Sequence, residues 1–489
     1  MRITNRIIQN NSLTNINNNK VLQDTLSTQI ATEKKIARPS DDPIIALRSL
    51  RLRTSVNQTE QYLQKNAADA KSWLQVTEDA ITTLSDIITD IRKQYVKGTS
   101  DTLKREDREI ILENLQALSA EIYNTGNADF AGRSVFTGFR TDSDLTFQKQ
   151  ETLAYGIQEI WNSEEGGSLK VDSITHVYYE DGLTGKDETQ VSSSDITRIR
   201  LSYDNLTDKD ISLTISAKGT TNTYTVTAQT DPYDYIKNNP SGVCFDASTG
   251  EIFLGSEVVA SPDEIADVTV GYGKNSWVKG DLRPEHYFNC TSTSIDEHGV
   301  SSTINYSLDS SNGEIVYNIG VNQSLRINTT AGECFTHDIK RDLDGIVIAI
   351  NDVNKIEDTV TELEKKLAGL TEGTAEYDEA RLELDAAKKA ETFLNDKLSK
   401  LFGHGITNAE GYLTRNNLAL TNCGTRSKRL ELIENRLDTQ LSTLRELKSE
   451  NEDVDMAEIA VKLTSAEYAY NASLMATSKI LQESLLNYL

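Results

Sequence analysis

Six prolines decide where this chain can form long helices. They are Pro39, Pro43, Pro232, Pro240, Pro262 and Pro284, so 44–231 and 285–489 contain none. A proline inside a helix removes a backbone hydrogen bond and clashes with the preceding turn. Two long segments of the chain are therefore free to form uninterrupted helices.

The first of these segments carries a heptad repeat from Val56 to Tyr95. Its two seams are Val56, Leu63, Ala70, Thr77, Leu84 and Ile91, and Ala67, Leu74, Ile81, Ile88 and Tyr95. Such a repeat is typical of a coiled-coil helix. Asp42 suits an N-cap and Pro43 a first helical residue, which predicts a helix over 43–97 ending at Gly98. At ~1.5 Å per residue that helix is roughly 80 Å long, and a second one follows at about 103–125.

The last third of the chain repeats this pattern. One predicted helix carries Ile346, Val353, Val360 and Leu367 beside Ala349, Ile356, Leu363 and Leu370. After a turn at Gly373–Thr374, a helix that folds back is predicted by Tyr377, Ala380, Leu384, Ala387, Leu394, Leu398 and Leu401. We expect Gly403-His404-Gly405 to break that helix. A further helix then carries Leu430, Leu437 and Leu444 beside Ile433, Gln440 and Leu447.

The final helix differs from the others because it is rich in small residues and poor in charge. Asp455 and Glu458 predict a capping box at its start. Its apolar stripe is Ile459, Leu463, Ala466, Tyr470, Leu474, Leu481 and Leu485. Small side chains on most faces let other helices approach closely, so we expect this helix to be surrounded by neighbours that one chain cannot supply.

The middle of the chain, 143–338, changes its apolar period from 3.6 to 2 and predicts β-strands. Alternating strands are predicted at Ile199–Tyr203, Ile211–Ile215, Tyr224–Thr227 and Glu251–Leu254. Asn312-Gly313 predicts a hairpin between Ile304–Leu308 and Glu314–Ile319. This β-rich insert forms one domain or two, with a division near 231–240. The fold class predicted is mainly α, a long coiled-coil helical rod formed by the N- and C-terminal segments with an inserted β-rich domain, α+β overall.

Composition excludes several classes of function. The formal net charge is −25, which argues against binding to nucleic acid and to an anionic membrane surface. No apolar signal segment or membrane-spanning stretch is present, so the protein is predicted to be cytoplasmic or exported by a route that needs no cleaved signal. The four cysteines, Cys244, Cys290, Cys334 and Cys423, fit no zinc or redox spacing and favour buried free thiols, with a disulfide among the first three left open.

No residues predict catalysis, a cofactor or a metal. Five isolated histidines, His176, His286, His298, His337 and His404, form no HExxH, and GxSxG, Walker A and GxGxxG motifs do not occur. The acidic run from Asp204 to Asp210 lacks EF-hand spacing and is interpreted as a solvated turn. Trp161, Trp277 and the tyrosines at 178–179 and 233–235 are expected to fill β cores, with an exposed contact surface for sugar or protein as the alternative.

Several short motifs resemble those of one family. Arg38 to Pro43, RPSDDP, looks like the motif after the first helix of the flagellin-like hook-associated proteins. Ala131 to Gly138, AGRSVFTG, resembles the hairpin of the hook-associated protein 3 family, the hook–filament junction proteins. Leu418 to Leu430 is similar to that family's returning helix, and Ser484 to Leu489 is similar to its C-terminus. The resemblance covers about 1–142 and 406–489, and the order of several motifs makes it specific.

The resemblance implies a structural subunit that assembles as a ring between hook and filament. It implies terminal helices at 1–42 and 455–489 that pair on assembly, a coiled-coil rod at 43–142 and 339–454, and an outward-facing insert at 143–338. The implied partners are further copies of the chain, another hook-associated junction protein, flagellin and an export chaperone. Its implied place is extracellular, in the flagellum. Because a helix of about 30 residues is marginal alone, we expect roughly 1–40 and 455–489 to be disordered in the monomer. A filament flagellin is the alternative, as is a junction subunit whose insert also binds a surface ligand.

Overall fold

The computed structural model describes residues 5–100, 103–164, 166–179, 187–207, 211–217, 219–295, 301–308 and 313–486. His298, 208–210, Asn312 and 487–489, on which sequence predictions fall, lie outside the described residues. The chain forms two compact units, each described separately. The first lies within Met1–Asp69, Asn318–Leu325 and Arg429–Leu489, and the second within Ala70–Tyr317 and Arg326–Lys428.

The first unit is built mainly from helices at the two ends of the chain. They are α1 (Asn5–Thr32), α2 (Pro43–Gln61), which a π-helical turn at Tyr62–Ala67 continues, the last part of α8 (Ala375–Glu452), and α9 (Met456–Leu486). Asp42 caps α2 as predicted, because its Oδ1 accepts hydrogen bonds from Ile44 N at 2.9 Å and Ile45 N at 3.1 Å. Asp455 caps α9 in the same way through Ala457 N and Glu458 N.

The helices of the second unit are α3 (Ala68–Gly98), α4 (Arg105–Gly126) and α7 (His337–Ala368), with most of α8 and two short ones, α5 (Pro232–Asn238) and α6 (Ala331–Cys334). The predicted end at Gly98 is confirmed. The predicted break at Gly403-His404-Gly405 is wrong, since α8 runs through it for 78 residues. A Cβ on Gly405 would lie 3.0 Å from the buried ring of Tyr95, so this glycine provides room for a neighbouring helix and does not end its own.

The β-rich middle forms one sheet of eleven strands in the described residues. The strands are β3 (Ala154–Asn162), β4 (Gly166–Gly167), β5 (Lys170–Tyr178), β6 (Ser192–Arg200), β7 (Ile211–Ala217), β8 (Thr220–Ala228), β9 (Val243–Asp246), β10 (Glu251–Leu254), β11 (Ile265–Lys274), β12 (Asn289–Ile295) and β13 (Ser301–Tyr306). Their order is β13-β12-β3-β11-β7-β8-β9-β10-β6-β5, with β4 beside β3. All pairs are antiparallel except β8 with β9. The strand predicted at Ile199–Tyr203 begins earlier than expected, at Ser192, and ends at Arg200.

The aromatic residues of the middle are packed inside it, as predicted. Trp277 is fully buried and stacks on Phe147 with ring centroids 4.8 Å apart, while Trp161 packs partly buried against the same core. All four cysteines are buried and free, which confirms the prediction of buried thiols. The predicted fold class, long helices from both ends of the chain with a β-rich region between them in sequence, is confirmed.

Two short hairpins lie outside the large sheet. The one predicted at Ala131–Gly138 is confirmed as β1 (Asp129–Phe130) and β2 (Arg133–Ser134), whose turn residues Ala131 and Gly132 take φ of 54° and 75°. The hairpin predicted around Asn312-Gly313 is wrong, because β13 pairs with β12 and the next strands, β14 (Val316–Gly320) and β15 (Gln323–Arg326), pair with each other. Asn322, at a φ of 56°, supplies the left-handed turn residue for that second pair.

Candidate assembly interface

The two terminal helices of the first unit pack along each other with a small apolar core. Leu26 of α1 and Ile459 and Ala466 of α9 are buried in it, with Ile30 and Leu463 partly buried against them. Farther along, the Asn19 amide donates to Ser473 Oγ at 2.8 Å. Three buried side chains, counted over the part of the pair that the structure describes, are few for helices of 28 and 31 residues. The pair therefore has much surface left for other neighbours.

A backbone bridge closes the base of the pair. Lys35 N donates to Glu452 O at 2.7 Å, and Val454 N donates to Glu33 O at 3.2 Å. Glu33 takes a φ of 59°, which turns the chain sharply after α1. The exit from α1 is thus fixed to the link between α8 and α9.

Glu452 is the centre of a polar cluster at this base. Arg53 donates to both of its carboxylate oxygens, Nε to Oε1 at 2.7 Å and Nη2 to Oε2 at 2.8 Å, and Ser49 Oγ donates to Oε1 as well. Lys34 lies 3.7 Å from the other oxygen and also pairs with Asp453. The Glu452 side chain is only 4% exposed, and the hydrogen bonds from Arg53 lower its pKa from 4.5 to about 2. The carboxylate therefore stays charged and ties α2 to the end of α8.

Among the described side chains of the terminal helices, nine large apolar ones are exposed: Ile7, Leu13, Val21, Leu22, Met456, Val461, Tyr468, Leu474 and Met475. Three of them stand seven residues apart on α9, where Val461, Tyr468 and Met475 are 71–72% exposed. Thr464 and Asn471 lie between them on the same side, so the stripe from Val461 to Met475 carries no charge. A heptad stripe of this kind is the pattern by which one helix packs along another. The first unit thus presents a second apolar seam, opposite the one that contacts α1.

The start of α2 offers another exposed apolar stripe. Ile44, Leu47 and Leu50 are spaced three residues apart and are 54–66% exposed. Arg48 and Arg51 stand beside them and are exposed too. Large exposed apolar patches with a polar rim mark surfaces that bind other proteins.

Within the second unit, buried charges hold the sheet against α7 and α8. Asp342 of α7 accepts hydrogen bonds from Arg200 of β6 at 2.6 Å and from two side chains of α8, Asn408 at 2.7 Å and Tyr412 at 2.6 Å. Lys170 of β5 lies 3.2 Å from the same carboxylate. Although burial alone would raise the pKa of Asp342, Arg200 and Lys170 hold it well below its usual range. The insert is thereby anchored to two helices through one carboxylate.

Two of the described histidines, His176 and His337, pack against aromatic rings. His176 stacks on Tyr233 with centroids 3.7 Å apart, and His337 lies among the rings of Tyr203, Tyr287 and Phe288. Burial lowers the pKa of His176 to about 4 and that of His337 to about 3, which keeps both rings neutral. His404 is exposed on α8. Asp204, first residue of the predicted acidic turn, pairs with the Lys274 ammonium at 3.0 Å and is not simply solvated.

The described residues contain neither a group of metal ligands nor a membrane-spanning helix. No three His, Cys, Asp or Glu side chains among them are grouped as metal ligands. None of the helices in the described ranges is long and apolar enough to cross a membrane. Sequence reasoning proposed no site residues, and it missed the α9 heptad of Val461, Tyr468 and Met475, although that spacing was readable from the sequence.

Comparison with protein families supports the motifs recognised in the sequence. The model of the bacterial flagellin N-terminal helical region matches residues 3–141, and that of the bacterial flagellin C-terminal helical region matches residues 406–489. These ranges confirm the resemblance predicted for about 1–142 and 406–489. The middle of the chain, which holds the sheet, lies outside both.

Individual relatives match part of the chain. Flagellar hook-associated protein 3 of Salmonella typhimurium is 28% identical over 145 residues, 29% of this chain and 45% of that protein. Flagellar hook-associated protein 3 of Escherichia coli K12 is 27% identical over 162 residues, 33% of this chain and 50% of that protein. The chain thus spans about half the length of the curated relatives it matches.

Among solved structures, the flagellar junction protein FlgL from Legionella pneumophila aligns over 83% of this chain and 99% of that protein. The identity is 11% and the TM-score 0.29.

Proposed function

We propose that this chain, whose two terminal regions match the helical regions of bacterial flagellin, is a structural subunit joining hook to filament in a bacterial flagellum. Its work is mechanical and needs no catalytic group. The subunit binds further copies of itself in a ring, another hook-associated junction protein on one side and flagellin on the other. It acts outside the cell, and a chaperone accompanies its export.

The observation that carries this proposal is the second, uncovered seam on α9. Val461, Tyr468 and Met475 expose more apolar surface than an isolated helix pair needs, and burying such side chains stabilises an assembly by roughly 1.5–3 kcal/mol each. The stripe is free of charge, so it suits another helix rather than an ionic ligand. It lies in the region that matches the flagellin C-terminal helical model.

The terminal helices α1 and α9 become fully ordered only when the subunit is assembled. Among the side chains that the structure describes, their shared core buries only Leu26, Ile459 and Ala466, and α1 is rich in asparagine, a weak helix former. In the dilute monomer a protease should therefore cut first within α1 and α9, before it cuts the second unit. Resistance of the full-length dilute monomer would contradict this.

A filament flagellin is the second candidate, because the matched terminal models describe flagellin itself. The junction is favoured because both curated relatives are hook-associated protein 3 and because the hairpin of β1 and β2 forms at the motif that resembles that family. Electron microscopy with a gold-labelled antibody against the insert distinguishes the junction subunit from the filament flagellin. A single band where hook meets filament supports the junction subunit, whereas label along the whole filament supports the flagellin.

A further inference from the structure

Four neighbouring strands of the sheet form a trough on the face turned away from the core. Along β3 the exposed positions alternate with buried ones, so Gly156 and Gln158 face outward while Tyr155 and Ile157 face the core. Strand pairing sets Asn305, Thr291, Gly156 and Gly273 in one row across β13, β12, β3 and β11. The next row holds Asn289, Gln158 and Gly271. Above these rows lies an open cavity of about 560 Å³.

The lining of this trough contains no charged side chain, although 26% of the chain is Asp, Glu, Lys or Arg. The polar groups present are amides and hydroxyls, from Gln158, Asn289, Asn305, Thr291 and Thr207. In the described part of the chain the side-chain amides of Gln158 and Asn305 have no hydrogen-bond partner. An amide offers both a donor and an acceptor, so each can bind a hydroxyl group in either role.

Gly271 keeps the floor of the trough open. A glycine inside a strand costs stability, and it often marks a place where a ligand or another backbone comes close. Neither of the usual structural reasons applies at this position. Its φ lies outside the left-handed region, and a Cβ added there would meet nothing within 4 Å. The packing of this chain therefore does not require a glycine at position 271. The absence of a side chain there keeps the space above the sheet open.

We propose that this trough binds a neutral oligosaccharide. An ionic ligand would find no countercharge in the lining, and a purely apolar one would leave the amides unpaired. A saccharide presents neighbouring hydroxyls that both donate and accept, which matches the two amide-bearing rows. Four strands spaced about 4.8 Å apart span roughly 14 Å, a width that suits several sugar rings rather than one.

The test is binding of the full-length protein to an array of neutral, sialylated and amino-substituted oligosaccharides, which needs no assembly and so stands apart from the proposed junction role. Gly271→Val fills the floor with a residue that strands favour, and Asn305→Ala removes one amide. Both should weaken binding of a neutral oligosaccharide by about tenfold or more, equal to about 1.4 kcal/mol. Thr225→Val, on the same sheet face but outside the trough, is the matched control and should bind like the wild type.

Three results would overturn the proposal. The first is that no neutral oligosaccharide binds the wild-type protein. The second is stronger binding of the sialylated or amino-substituted set. The third is binding of the neutral set that neither Gly271→Val nor Asn305→Ala weakens, with circular dichroism showing both variants folded.

Discussion

Arg53 holds both carboxylate oxygens of Glu452, with donor–acceptor distances of 2.7 and 2.8 Å. These residues are 399 positions apart in sequence, so one bidentate contact joins the start of the chain to its end within the first unit. Because Glu452 is nearly buried while Arg53 is 57% exposed, the carboxylate needs its partner more than the guanidinium does. The base of the terminal helix pair depends on this contact.

Glu452→Gln should lower the free energy of unfolding of the first unit by about 1–2 kcal/mol, since the exposure of Arg53 weakens the pair. The folded-state pKa, about 2, lies below the ordinary 4.5, so the stabilisation is complete above pH 4.5 and is lost as pH falls towards 2. Urea unfolding followed by circular dichroism at several pH values measures both effects. Glu450→Gln, at an exposed neighbour, is the control, and an equal loss in both variants would refute the role of Glu452.

Asp342→Asn should loosen the sheet from α7 and α8. The carboxylate accepts from Arg200, Asn408 and Tyr412, and its loss leaves Arg200, which is 4% exposed, without a full counter-charge. Removing one partner of a buried pair costs about 3–5 kcal/mol. Tryptophan fluorescence during urea unfolding reports on this unit through the buried Trp277. Asp396→Asn, exposed on α8, should change stability little; a similar cost at both positions would contradict the prediction.

Two glycines of α8 should respond to alanine in opposite directions. A Cβ on Gly403 meets nothing within 4 Å, so Gly403→Ala should stabilise the helix by about 0.5–1 kcal/mol. A Cβ on Gly405 meets the ring of Tyr95 at 3.0 Å, and that ring is only 2% exposed and cannot move aside. Gly405→Ala should therefore destabilise by about 1 kcal/mol or more. Thermal unfolding of both variants measures these changes in stability. Stabilisation by both substitutions would show that the ring of Tyr95 does not need the space left by Gly405.

Tyr468→Lys should leave the isolated chain folded and prevent its assembly. The side chain is 72% exposed in the single chain, so a lysine there disturbs no internal contact. In a helix seam the same lysine would bury an unpaired charge. Analytical ultracentrifugation and recovery of motility in a complemented deletion strain measure the effect. Glu467→Gln is the control, because it changes an exposed neighbour that lies outside the stripe. Loss of assembly in that variant as well would contradict the role of the stripe as the assembly interface.

The helical parts of this structure follow closely from the sequence, because local signals determine them. Asp42 and Pro43 set the start of α2, and Asp455 sets the start of α9. The prediction of a helix break at Gly403-His404-Gly405 is wrong. Position 405 is a glycine because the ring of Tyr95, on another helix, packs against it, and no local sequence pattern reveals that contact.

Strand pairing was harder to predict than strand position. The alternation of Ile211–Ile215 identifies β7, but nothing in it says that β11 will lie beside it, 54 residues later in the chain. The Asn312-Gly313 pair looked like a hairpin turn, yet β13 found its partner in β12. The interface stripe on α9 was readable in principle, since Val461, Tyr468 and Met475 keep a spacing of seven. Its exposure could be seen only once the opposite side of α9 was found against α1.

The most direct test of the junction role is filament attachment in a strain that lacks this gene. Electron microscopy of the cells and immunoblotting of the medium for flagellin measure it together. The account predicts complete hooks without filaments and flagellin released unattached into the medium, with attachment restored by the wild-type gene. Filaments of normal length on the hooks of the deletion strain would contradict it.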